Sequence, residues 1–212
     1  MNLSVPQVIT VAHQKGGVGK STIACNLAVE LAKNHNLTVI DLDMQKSLTY
    51  FNAKRGKLGL PMFNIFNAKD LKDLKHSITN NSGVLLIDVG GFDSDLNRIA
   101  IFGSDKLITP VSDSELELVG LLSFRKILQE IKAKRPDLLC NIVINKAHPL
   151  ANKSLQDVYD FIERNNDFKL FNTILRDRSD YKKAFSEGVS VVEYGGKAKE
   201  EFNSLIKEII NG

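Results

Sequence analysis

Between His13 and Thr22 the chain reads His-Gln-Lys-Gly-Gly-Val-Gly-Lys-Ser-Thr, residue types suited to holding a polyanion. Gly16, Gly17 and Gly19 would let successive backbone N–H groups turn inward on phosphate oxygens. Lys20 would reach the β- and γ-phosphates of a nucleoside triphosphate, and the Ser21 hydroxyl would hold Mg²⁺. Val18 and Thr22 complete the cradle. The apolar run Val8–Ala12 precedes the stretch, and a helical pattern opens at Thr22. Strand, glycine-rich turn and helix is the context such a loop requires, because the helix N-terminus adds its positive dipole end. The alternative is a plain glycine-rich turn. Gly-Lys-Ser placed directly after a strand argues against it.

The loop departs from the common pattern. A glycine is usual five residues before the final Gly-Lys, and here that position is Gln14, followed by Lys15. Two lysines, Lys15 and Lys20, therefore flank one short loop. Like charges this close repel and are best tolerated around a polyanion. Lys20 suffices within one subunit. Lys15 is expected to reach the phosphates of a second copy, supplying charge in trans.

Carboxylates recur at predicted strand ends. Asp43 follows one and would lie near the γ-phosphate. Asp41, two residues earlier, would help hold the magnesium shell or support the loop. Asp88 ends the apolar run Val84–Val89. An acidic group at a buried strand terminus has few alternatives to serving a cation. The competing reading of Asp41 and Asp43 is a pair of solvated turn residues. Asn145 ends the next strand as Asn-Lys-Ala-His. A guanine-reading Asn-Lys-x-Asp site would need Asp at His148, so ATP is favoured over GTP. Asn145 is read as a base contact, with an ordinary turn asparagine as the alternative.

The elements that must position these groups are legible. Val8–Ala12, Thr38–Leu42, Val84–Val89, Lys106–Val111 and Asn141–Asn145 read as buried strands. The ranges 24–34, 68–77, 93–101, 115–134, 153–164 and 197–210 read as helices. Phe63–Phe66 reads as a short extra strand, and the range 52–61, with Lys54, Arg55 and Lys57, as a mobile basic connection. The alternation predicts an α/β fold with a mostly parallel sheet and helices on both faces, and the phosphate loop makes it a P-loop NTPase. Ligands of such sheets sit outside the carboxyl ends of the strands. Lys15, Asp43 and Asp88 all lie there. A single domain over residues 1–212 is expected, with no separate N-terminal DNA-reading domain.

Lys-Gly-Gly-Val-Gly-Lys-Ser-Thr resembles the deviant Walker A motif of the ParA/MinD ATPases. Asp41-Leu-Asp43-Met-Gln45 resembles that family's second motif, with Met44 in the usual proline position. Leu85-Leu-Ile-Asp88 resembles its Walker B, and Ile108-Thr-Pro-Val111 its next strand. The compact length is most like the small plasmid-partition ParA proteins. The resemblance implies that Asp43 orients or activates the attacking water and that Asp88 serves Mg²⁺ through water. Arg176 and Asp177 match a segment near the adenine, although the neighbouring proline is here Leu175. The resemblance also implies an ATP-dependent homodimer that binds DNA non-specifically through basic residues of the last third. Lys153, Arg178, Lys182 and Lys183 are the candidates. A solvated surface is the competing reading, since Asp157, Asp160 and Asp180 are interspersed. A small centromere-binding ParB- or ParG-like partner would supply sequence specificity and stimulate slow turnover.

Composition bounds the rivals. With 212 residues, 43% hydrophobic, the chain is long enough for a full core. A net charge of +3 permits contact with nucleic acid without demanding it. Cys25 and Cys140 form no metal spacing, and the four histidines, His13, His35, His76 and His148, form none either. An iron–sulfur reductase of the nitrogenase-iron-protein type lacks its interfacial cysteines. The N-terminus reads as no signal peptide, and no run of about eighteen apolar residues exists. A cytoplasmic, nucleoid-associated protein is expected. A MinD-like membrane-cycling ATPase is the main alternative. Its C-terminal anchor would need a basic polar face, whereas the tail from Lys197 carries Glu200, Glu201 and Glu208. Its Phe202, Leu205, Ile206 and Ile209 stripe reads as core-packing.

Overall fold

Seven parallel strands form one sheet in the order β3-β2-β4-β1-β5-β6-β7. This is seen in a computed structural model that describes residues 5–148 and 153–211, except for the side chains of 115–117, 153 and 154. The central strands are the apolar runs of the sequence: β1 (Val8–Val11), β2 (Leu37–Asp41), β4 (Val84–Asp88), β5 (Lys106–Val111) and β6 (Cys140–Ala147). They are buried along nearly their whole length, as strands covered on both faces must be. Strands β3 (Asn64–Ile65) and β7 (Phe168–Arg176) close the two edges.

The helices form two layers. Helices α1 (Lys20–Asn34), α2 (Ser47–Lys57), α7 (Ser179–Glu187), α8 (Val191–Tyr194) and α9 (Gly196–Asn211) share one apolar core with Ile9, Val11 and Val39. Helices α3 (Leu71–Thr79), α4 (Asp95–Phe102), α5 (Glu115–Lys132) and α6 (Lys153–Glu163) share the other with Val8, Ile40 and Ile87. Alternate residues of each strand feed opposite cores, as the period of two requires. Strands are added on both sides of β1, so the crevice at its carboxyl end is the expected ligand position.

Two expectations need correction. Residues 52–57 are not a loose connection but most of α2. Its buried positions are Leu48, Phe51, Asn52 and Arg55, spaced for one helical face. Two of these are polar, which hid the periodicity. The Arg55 side chain is 2% exposed and meets Glu193 through two hydrogen bonds of 2.7 and 2.9 Å. Residues 168–187 also hold β7 and α7, which no apolar run announced. Strand β7 is an edge carrying Lys169, Asn172 and Thr173, so its outer positions stay polar. The tail packs as expected: Ala198, Phe202, Leu205 and Ile209 are fully buried in α9. Glu208 pins α9 to β7 by accepting from the Asn172 and Thr173 amides at 2.7 and 2.8 Å. No helix among the described residues is long and apolar enough to cross a membrane.

Candidate nucleotide site

Strand β1 delivers the glycine-rich turn, and α1 starts from it without a break. Gly19 caps the helix at φ 101°, a left-handed conformation that glycine adopts without a steric penalty. A Cβ there would also stand 2.1 Å from Asn145 Nδ2. That amide donates to Val18 O at 2.7 Å and ties the end of β6 to the turn. On the other side Gly91 packs so closely that a Cβ would lie 3.1 Å from Gly16 N. The turn is thus held between the ends of β4 and β6.

The peptide of Lys15 is gripped at both ends. Its N–H donates to His13 Nδ1 at 2.9 Å, and its carbonyl accepts from Lys20 Nζ at 2.9 Å. His13 is 1% exposed and stacks on Phe124, ring centres 5.7 Å apart. Burial, then Lys20, then Lys15, pulls its pKa down to about 4. The ring is therefore neutral at ordinary pH and accepts at Nδ1. This role escaped the sequence, in which a lone loop histidine carries no signal. The Lys15 stem runs past Gly120 of α5, and Lys15 does not line its own cleft.

That cleft encloses about 470 Å³ and is lined by Gly16, Gly17, Gly19, Lys20, Ser21, Thr22 and Asp43, together with Gln45, Gly91 and Lys146. Val18 is buried beneath the turn. Asp43 is half-buried at the rim and accepts from Gln45 N at 2.9 Å. Asp41 and Asp88 are register neighbours on β2 and β4 but differ in environment. Asp41 Oδ2 accepts from the amide and hydroxyl of Thr49 at 3.1 and 3.0 Å, and Oδ1 from the Asp43 amide at 3.2 Å. It thus caps α2 and sets the Asp43 turn. Asp88 is fully buried, and both its oxygens lack a hydrogen-bond partner of ordinary geometry. Burial pushes its pKa up to about 8; the nearby Ser21 hydroxyl and Lys20 offset part of the effect, while Asp41 adds to it. A fully buried carboxyl beside a serine hydroxyl fits a hydrated divalent cation. No cluster of three metal-ligating side chains exists among the described residues. Any ion here would take the rest of its shell from water and phosphate.

A second compartment of about 330 Å³ adjoins the first, lined by Ser21, Thr22, Asn145, Lys146, Arg176, Asp177, Arg178, Tyr181, Lys182 and Phe185. Asn145, Arg176 and Asp177, the expected base contacts, thus line one compartment beside the phosphate cleft. Asn145 Nδ2, however, is engaged with the phosphate turn. The basic candidates separate. Arg178 is bound to Glu201 at 2.5 Å and lines this compartment, as does Lys182. Lys183 is exposed on α7. The Lys153 side chain lies outside the described set.

The sheet order and the occupied positions define a nucleotide-binding α/β domain. Residues 9–191 match the CobQ/CobB/MinD/ParA nucleotide binding domain, and the chain belongs to that family. It is 25% identical over 210 residues to the maintenance of carboxysome distribution protein A of Halothiobacillus neapolitanus, covering 95% of each chain. A putative plasmid partition protein of Borrelia burgdorferi bound to AMPPNP shares the fold with a TM-score of 0.72, at 22% identity, over 96% of this chain and 98% of that one. The septum site-determining protein MinD of Pyrococcus horikoshii, complexed with Mg-ADP, gives 0.70 at 16% identity, over 96% and 95%.

Proposed function

We propose that the chain is a ParA-type ATPase that hydrolyses ATP to ADP and phosphate with Mg²⁺. Lys20 and the turn amides would hold the phosphates, Ser21 and Asp88 the hydrated ion, and Asp43 the attacking water. The observation that carries this reading is the fully buried Asp88 carboxyl beside the phosphate turn, whose oxygens find no hydrogen-bond partner of ordinary geometry. Phosphoryl transfer of this kind needs positioning and charge rather than covalent chemistry from the protein.

Two copies would close on ATP, each offering Lys15 to the other's phosphates. The course of the Lys15 stem along α5, outside its own cleft, supports this. The dimer would hold DNA non-specifically, and hydrolysis would release it. A small centromere-binding ParB- or ParG-like partner would tie the cycle to a plasmid or chromosome. The carboxysome-distribution relatives support the wider reading of a cargo-positioning cycle. The MinD-like membrane alternative is disfavoured because the apolar stripe of α9 is spent on the core. Phosphate release and light-scattering mass, measured together, test the proposal. Turnover with a doubled mass in ATP and Mg²⁺, absent with ADP, is expected. A catalytically active chain that stays monomeric with ATP would refute the dimer.

A further inference from the structure

Lys146 sits where a lysine is costly. Its φ is 57°, and the only other non-glycine residue with positive φ among the described residues is Lys46, at φ 50°. The left-handed conformation costs a residue with a Cβ roughly 1–2 kcal/mol, and such strain persists only where neighbours impose it. Here they do. Asn145 is fastened to Val18 O, Ala147 O accepts from Asp177 N at 3.0 Å, and His148 N donates to Asp113 Oδ2 at 3.0 Å.

The strained backbone sends the side chain across the glycine turn. Lys146 Nζ donates to Gly17 O at 2.6 Å although the residue is exposed. Lys146 lines both the phosphate cleft and the second compartment. It therefore spans the junction that the ribose and first phosphate of a nucleotide would cross. The Gly17 carbonyl offers the ammonium only a dipole. A phosphate oxygen would add a full opposite charge.

The geometry points to Lys146 as a clamp on bound nucleotide: its ammonium moves from the Gly17 carbonyl onto the α-phosphate and ribose edge. This rests on the nucleotide reading of the cleft. The contact is common to ADP and ATP, unlike one to the γ-phosphate.

The test compares wild type with Lys146→Met, Lys146→Arg and Lys146→Gly, titrating ATP and ADP with Mg²⁺ beside ligand-free melts. Lys146→Met should weaken both nucleotides by the same factor, about tenfold, without lowering the melting temperature. Lys146→Arg should restore most of the affinity. Lys146→Gly should bind as weakly as the methionine variant while melting no lower than wild type, because the left-handed strain is relieved. Unchanged ADP affinity in Lys146→Met, a loss confined to ATP, or a loss matched by a lowered ligand-free melt would overturn the clamp. Wild type that binds neither nucleotide would overturn the nucleotide reading itself.

Discussion

Asp41 and Asp88 stand opposite one another at the carboxyl ends of β2 and β4, yet only Asp41 has its oxygens satisfied. One carboxylate builds the loop that carries Asp43. The other is fully buried, and the Ser21 hydroxyl and Lys20 offset only part of the cost of its charge.

That contrast has a pH signature. The folded pKa of Asp88, about 8, lies above its unfolded value near 3.8. The raised pKa gives a contribution to stability that is fully present below about pH 4 and is lost, as folding takes up a proton, while pH rises through about 8. Asp88→Asn should therefore raise the ligand-free melting temperature at pH 8 by roughly 2–4 °C per kcal/mol recovered, with little gain at pH 4. It should also depress ATP hydrolysis. Parallel melts across this range check it, and an equal shift at both ends would contradict the assignment.

Lys20→Ala should abolish ATP binding and leave the fold intact. Fluorescence titration beside a thermal melt is the measurement. Full affinity in the folded variant would remove Lys20 from the site.

Asp43→Ala should bind ATP, accumulate as a dimer and hydrolyse poorly, since slower exit from the bound state favours it by mass action. Lys15→Gln should keep monomer binding and lose the dimer. Light scattering with a phosphate-release assay separates the two. Wild-type turnover in Asp43→Ala would end its water-positioning role.

Gly19→Ala should cost at least about 2 kcal/mol, combining left-handed strain with a contact 2.1 Å from Asn145 Nδ2. Denaturant unfolding measures it. A cost below about 0.5 kcal/mol would mean that the turn is not clamped as described.

The parallel sheet and the phosphate turn were legible because apolar runs and Gly-Lys-Ser are local signals. The α2 face was not, because Asn52 and Arg55 are buried polar residues: Asn52 bonds Phe63 O at 2.8 Å and Arg55 bonds Glu193. The contacts of His13 and Lys146 were not legible because they are made with residues distant in sequence, Phe124 for one and Gly17 for the other. The pairing of Arg178 with Glu201 was equally invisible, as the two residues are 23 positions apart.

Lys183 is the cleanest of the basic candidates for DNA, because Lys182 and Arg178 also line the second compartment. Lys183→Glu should weaken DNA binding and leave DNA-free ATPase turnover within about twofold. A proportionate loss of both would place Lys183 in the ATP cycle instead.

A mobility shift on random-sequence duplex, run with ATP, ADP and no nucleotide at two salt concentrations, tests the central claim most directly. ATP builds the dimer, so a shift is expected with ATP alone, and it should weaken steeply with salt because phosphate contacts release counterions. Equal binding in all three nucleotide states, or none in any, would contradict a DNA-holding switch set by ATP.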